Sequence, residues 1–191
     1  STLQPFRPHA SGRVIADRPH AGRLAALCDR AFRARLRAEE PKTKDRLIWY
    51  LVNNFAQMYR LGDPADYEPP KEQGAAAVAE REGRTPQEVI YDWLLDDDGT
   101  AMIFMPLGSY VDHDHEAIRA MIEHPGSIFG LSDGGAHCGL ICDASMPTYM
   151  LTHWARDRKR GPQLPVELLV HKQTQATARV YSLQDRGVLA P

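Results

Sequence analysis

Ser127-Ile-Phe-Gly-Leu-Ser-Asp-Gly-Gly-Ala-His137 decides how the rest of this chain is read. Residues 127–131 are a short, mostly apolar run with an aromatic and a β-branched side chain, the composition of a buried strand. Polarity then changes abruptly. Ser132, Asp133 and His137 surround Gly134 and Gly135, so a carboxylate sits where a core strand ends and the backbone turns sharply. Barrels and open parallel sheets carry reactive side chains at the carboxyl ends of strands, while the strand body only packs. Local pattern leaves two readings of Asp133 open: a turn cap whose glycines supply the positive φ, or a reactive group at a strand end.

Upstream, Ala101-Met-Ile-Phe-Met105 closed by Pro106 reads as a second strand. Between the two strands, residues 114–123 predict a short helix with Asp114 as its cap and Ile118, Met121 and Ile122 as its buried face. The result is a β-α-β unit with parallel strands and a right-handed crossover. Downstream, Ser145 caps a helix that tolerates Pro147 in its first turn and turns Met150, Leu151 and Trp154 inward. Arg158-Lys-Arg160 followed by Gly161-Pro162 stops it, with cations at the negative helix end and a left-handed cap. Pro165 opens another helix through Val166, Leu169, Val170 and Gln173, and residues 184–191 are a turn and tail.

Toward the N-terminus, residues 2–20 have no sustained period and read as a loop. Residues 22–40 predict one helix with Leu24, Leu27, Cys28, Ala31 and Phe32 on its apolar stripe and an Arg-rich opposite face. That Arg cluster, with Glu39 and Glu40 beside it, reads as a solvated face rather than a phosphate surface. Leu47-Ile-Trp-Tyr-Leu-Val52 is apolar nearly all round and fits a buried helix or a strand. Residues 61–70 are a linker by their Pro, Gly and Asp content. Residues 71–81 form an Ala-rich helix stopped by Gly83, and Thr85-Pro86-Gln-Glu88 opens the next with a capping box. Asp96-Asp-Asp-Gly99 ends it as a solvated turn, since it lacks the alternating spacing of a calcium loop.

With 191 residues, 43% hydrophobic content and a formal net charge of −2, the chain belongs among globular domains and offers no electrostatic case for nucleic acid. No apolar run approaches the roughly 18 residues of a membrane span. Three cysteines without framework spacing point to reduced thiols and a cytoplasmic setting.

Asp133 and its flanks, then Gly135-Ala-His137-Cys-Gly-Leu-Ile-Cys142-Asp-Ala-Ser-Met-Pro147-Thr, Leu151-Thr-His-Trp154-Ala-Arg-Asp-Arg158, Gln173-Thr and Asp185-Arg-Gly-Val-Leu-Ala-Pro191 resemble the amidohydrolase superfamily. The resemblance is narrowest to its N-acyl-D-amino-acid deacylase, or D-aminoacylase, branch. It implies a helix-rich α/β fold that is the C-terminal segment of a (β/α)₈ TIM barrel. Such a barrel takes about 250 residues, so the expectation is an incomplete barrel. One domain over 1–191 is expected, with 1–70 as helices and linker and 71–191 as the last βα units. The strand at 101–105 would be the seventh of the barrel and that at 127–131 the eighth.

By the same resemblance the function is hydrolysis of an N-acyl-D-amino acid at its amide bond, with zinc as cofactor in the complete enzyme. Asp133 matches the strand-eight carboxylate that serves as general base and acid and as a ligand to the more weakly held metal. Ser132 and His137 are candidates to orient Asp133 or touch substrate, and a structural turn histidine remains an equal reading of His137. His137 with Cys138 and Cys142 lacks the paired second half of a structural zinc site, so the cysteines read as small buried apolar groups. His113 and His115 form a His-x-His, the spacing the superfamily uses at strand one, but here it follows strand seven. The other metal-binding histidines of the pattern have no matching positions, so the isolated chain is expected to be inactive. The rival expectation is a non-catalytic helical assembly domain that pairs with itself or completes a partner chain, because a cut barrel exposes apolar strand edges.

Overall fold

Side-chain caps set several of the helix starts, and they subdivide stretches that periodicity alone runs together. The computed structural model describes residues 5–130, 132 and 143–189 of this chain. It is a helix-rich α/β structure that divides into two compact units, Ser1–Asp114 and His115–Pro191.

In the first unit α1 (Ala10–Ala16), α2 (His20–Cys28), α3 (Arg30–Ala38) and α4 (Arg46–Asn53) precede β1 (Tyr59–Leu61). They are followed by α5 (Ala75–Glu82), α6 (Pro86–Gly99) and β2 (Met102–Phe104). The single helix expected over 22–40 is two helices, because the Asp29 carboxylate accepts from the Phe32 amide at 2.7 Å and caps α3. The loop expected over 2–20 contains α1, whose Ser11 donates from both N and Oγ to Glu39, at 2.8 and 2.6 Å. That contact is 28 residues away in sequence, which is why local periodicity does not reveal the helix. The 47–52 run is α4, capped by Asp45 and burying only Leu51 and Val52, while Leu47, Trp49 and Tyr50 stay exposed.

The capping box forms as predicted: Thr85 N donates to Glu88 Oε2 at 2.9 Å and Glu88 N to Thr85 Oγ1 at 3.3 Å. Gly83 closes α5 with φ of 64°, the left-handed geometry of a helix stop. Helical geometry in α6 breaks at Asp96, and Asp97 and Asp98 are left-handed, so the aspartate run does end that helix. The core joins Phe6, Ile15, Phe32, Leu36, Met58, Val78, Val89, Ile90 and Tyr91. Burial pushes the Tyr91 hydroxyl up to about 12, and it donates to the Leu27 carbonyl at 2.6 Å. The arginines of α3 are engaged rather than free. Arg33 lies 2.5 Å from Asp92 and over the Tyr91 ring, Arg37 lies 2.6 Å from Glu88, and Arg35 donates to Ser11 Oγ.

The expected parallel β-α-β unit is corrected by the sheet itself. Among the described residues it is two-stranded and antiparallel, with Tyr59 opposite Phe104, Arg60 opposite Ile103 and Leu61 opposite Met102. Residues 127–130 adopt no regular secondary structure. A strand exists only through its ladder, and apolar composition does not say which partner will supply it.

In the second unit α7 (Glu116–Glu123) is followed by α8 (Met146–Tyr149), which continues as π-helical turns over Met150–Asp157. α9 (Val166–His171) likewise passes through π-helical turns at Lys172–Ala176 into α10 (Thr177–Val180). His115, not Asp114, occupies the N-cap of α7, without a side-chain capping bond. Ile122 is buried there, but Met121 is half exposed, as Leu151 is exposed on the next helix while Met150 and Trp154 are buried. The core gathers Ile122, Met150, Trp154, Leu164 and Leu169. Arg158, expected as a cation at the negative end of the helix, is buried over the Trp154 ring at 4.7 Å. It donates to Glu116 Oε1 at 2.7 Å and to the Pro162 carbonyl at 3.0 Å. Gly161 makes room for this, since its φ is 123° and a Cβ there would lie 2.6 Å from Glu116 Oε1 and 2.7 Å from Arg158 Nη2. Among the described residues no helix is long and apolar enough to cross a membrane.

Candidate functional site

Ser132 is half-buried and outside any helix or strand. Asp133 and His137, and with them Cys138 and Cys142, lie outside the described residues. What the structure does describe is how the segment leading to that motif is held. Lys172 is buried, and its ammonium donates to the His124 carbonyl at 2.5 Å, the Ser127 carbonyl at 2.7 Å and Ser127 Oγ at 3.2 Å. Ser127 Oγ in turn donates to the His124 and Met121 carbonyls. Three ammonium protons thus meet three oxygens, which is what offsets the desolvation of a buried lysine. The π-helical turns at 172–176 bring Lys172 round to this position, and no helix-period pattern foretells them.

A second grouping in the same unit centres on two histidines. His115 at the start of α7 and His153 in the π-helical turns have ring centroids 5.7 Å apart at an interplanar angle of 81°. Their ligand-capable nitrogens lie within 4.8 Å of one another, and His115 Nδ1 and His153 Nε2 are shielded from solvent. Trp154 packs against both, with centroids 5.7 Å from His115 and 5.5 Å from His153. Tyr149 stacks on the outer face of His153 at 4.7 Å and 8°. Backbone bonds fix both residues: Arg119 N donates to the His115 carbonyl at 2.8 Å, and Arg158 N to the His153 carbonyl at 2.8 Å. Glu116 beside His115 is held below the usual carboxylate range by hydrogen bonds from Arg119 and Arg158, so it stays anionic and balances the buried guanidinium.

The His-x-His of the sequence does not act as a unit. His113 belongs to the first unit, with φ of 57° and a 2.5 Å hydrogen bond between its Nδ1 and the Tyr59 hydroxyl, while His115 turns to His153. Sequence reasoning missed the His115 and His153 pairing because 38 residues separate them. The available signal was weak: His153 sits four residues after Tyr149 and beside Trp154, a run of rings on one helix.

The first unit has a cavity of about 460 Å³ lined by Phe6, His9, Leu36, Arg37, Glu39 and Trp49 among others. Burial lowers the His9 imidazole below its ordinary value, and hydrogen bonds from Ser11 hold Glu39 below the usual carboxylate range. Glu68, in the same unit, is a buried carboxylate at 2% exposure.

The model of the Amidohydrolase family matches residues 21–191, nearly nine-tenths of the chain and all of the 132–137 motif. The chain belongs to the amidohydrolase family. No curated protein and no solved structure matches it. Within the matched region the groups that carry chemical weight are the 132–137 motif and the paired His115 and His153.

Proposed function

We propose that this amidohydrolase is part of a zinc-dependent N-acyl-D-amino-acid deacylase of the D-aminoacylase branch, and that Asp133 is its proton shuttle and one of its metal ligands. The observation that supports this most is the Ser132-Asp133-Gly-Gly-Ala-His137 motif within the matched region 21–191, followed in order by the 151–158 and 185–191 segments. Water oxygen attacks the amide carbonyl carbon, the C–N bond breaks, and the products are a carboxylic acid and a D-amino acid. Asp133 takes the proton from the attacking water and returns it to the departing nitrogen. Ser132 and His137 orient that carboxylate or meet the substrate. Zinc, when bound, would lower the pKa of a water toward about 7. Asp133 is a single ligand, and catalytic zinc takes about three from protein, so the remaining ligands belong to other parts of the full-length enzyme. The C-terminal segment of a TIM barrel and a cytoplasmic setting with reduced cysteines are part of the same proposal.

Asp133→Asn and Asp133→Ala in the full-length enzyme are expected to lower turnover of N-acetyl-D-amino acids about 10²–10⁴-fold, the usual worth of a general base. Turnover within a few-fold of the parent would remove Asp133 from this role. Residues 1–191 alone are expected to show no hydrolysis.

A second reading, self-association without catalysis, draws on the exposed Leu47, Trp49 and Tyr50 of α4. Sedimentation of the chain with and without Trp49→Lys separates the two readings: a monomer in both cases ends the second.

A further inference from the structure

We propose that His115 and His153 form a divalent transition-metal site of the second unit, one that does not use Asp133. Two imidazole nitrogens within 4.8 Å of each other are close to a chelating pair. Two zinc–nitrogen bonds of about 2.0–2.1 Å at a tetrahedral angle set the nitrogens about 3.4 Å apart, so the pair closes by at most about 1.4 Å to share one ion. The rings meet at 81°, an edge-to-face arrangement in which the nitrogens of one ring's edge approach its neighbour rather than lying in parallel planes.

The surroundings favour a preorganised pair. His153 is fixed between Tyr149, stacked on its face, and Trp154, whose ring stands at 89° to it. His115 lies against Trp154 at 30° and is only 7% exposed, so neither ring is a mobile surface group. π-helical turns such as those carrying His153 recur at functional sites, since they re-aim a side chain that α-helical spacing would point elsewhere. Arg158 is stacked over Trp154, and its charge is balanced by Glu116, which reduces its opposition to a bound cation. Two imidazoles select zinc, nickel or copper over magnesium and calcium, which want oxygen. With two protein ligands the ion keeps water in its other positions, so the site is exchangeable and its loss does not unfold the chain.

The experiment uses untagged chain and zinc alone, read by competition with a chromophoric chelator and repeated with cobalt for its visible absorption. The expected result is a zinc site weakened at least tenfold by His115→Ala and by His153→Ala, and unchanged by His171→Ala, an exposed histidine on α9. If either variant fails to fold, histidine-directed acylation of the unsubstituted chain answers the same question by mass spectrometry. Zinc should then protect His115 and His153 and leave His171 reactive. Zinc affinity unaffected by both substitutions, or no protection of these two histidines, overturns the proposal. Because the readout is metal uptake rather than turnover, a failure here is distinguishable from a failure of the Asp133 assignment.

Discussion

The two units solve the same burial problem with different materials. The first builds its interior from aliphatic and aromatic side chains and keeps its arginines at the rim, where Arg33, Arg37 and Arg84 meet Asp92, Glu88 and Glu82 with both partners still partly exposed. The second has a smaller apolar cluster around Trp154 and buries two cations, Arg158 and Lys172, each against several oxygens. A rim pair contributes little because water already solvates both charges, whereas a buried cation draws several backbone carbonyls onto one charge that has left water. The lesson is that replacing a paired cation should be cheap at the rim of the first unit and costly in the interior of the second.

The largest test of that contrast is Trp154→Ala, expected to cost about 3–5 kcal/mol because it empties the centre of the smaller cluster and removes the ring under Arg158. Amide exchange should accelerate across residues 115–189 first. Protection lost equally in residues 5–114 would mean that the interior of the second unit is not built around this ring.

Next comes a matched pair, Lys172→Met and Arg33→Met. Removing Lys172 leaves the His124 and Ser127 carbonyls without their charged donor, a loss of about 2–4 kcal/mol. Removing Arg33 breaks a half-exposed pair and should cost no more than about 1 kcal/mol. Equal urea midpoints for the two variants would erase the distinction between buried and rim cations.

The smallest effect concerns pH and the first unit alone. The His9 imidazole is lowered by burial, so the unfolded chain binds a proton at a higher pH than the folded one. Its contribution is therefore complete above the ordinary value of about 6.5 and is lost as pH falls from there through the folded value. Glu39, held low by Ser11, acts in the same direction further into acid, below the ordinary carboxylate value. His9→Gln should flatten the fall in stability that begins below about pH 6.5 while leaving the more acidic part in place. An unchanged slope over that interval in urea titrations would show that His9 does not carry it.

Local chemistry made much of the helical framework legible. Thr85 and Glu88 write a capping box in four residues, Gly83 writes a stop, and the aspartate run at 96–98 writes an end, because each acts through atoms of its own turn. Asp29 and Asp45 were equally available as caps, and overlooking the first merged two helices into one. The strand pairing was not legible: Met102-Ile-Phe104 reads as a strand from composition, but its partner Tyr59–Leu61 is more than 40 residues away. The motif at 132–137 was legible as a family signature, and all of it but Ser132 lies outside the described residues.

The sequence by itself determined membership in the amidohydrolase family and several helix boundaries governed by caps and glycines, since these depend on residue identity and near neighbours. Only the tertiary structure decided that Lys172 and Arg158 go inside, that β2 pairs antiparallel, and that His115 meets His153 rather than His113. Those outcomes rest on contacts between residues distant in the chain, where burial and pairing are settled by what the rest of the fold brings alongside.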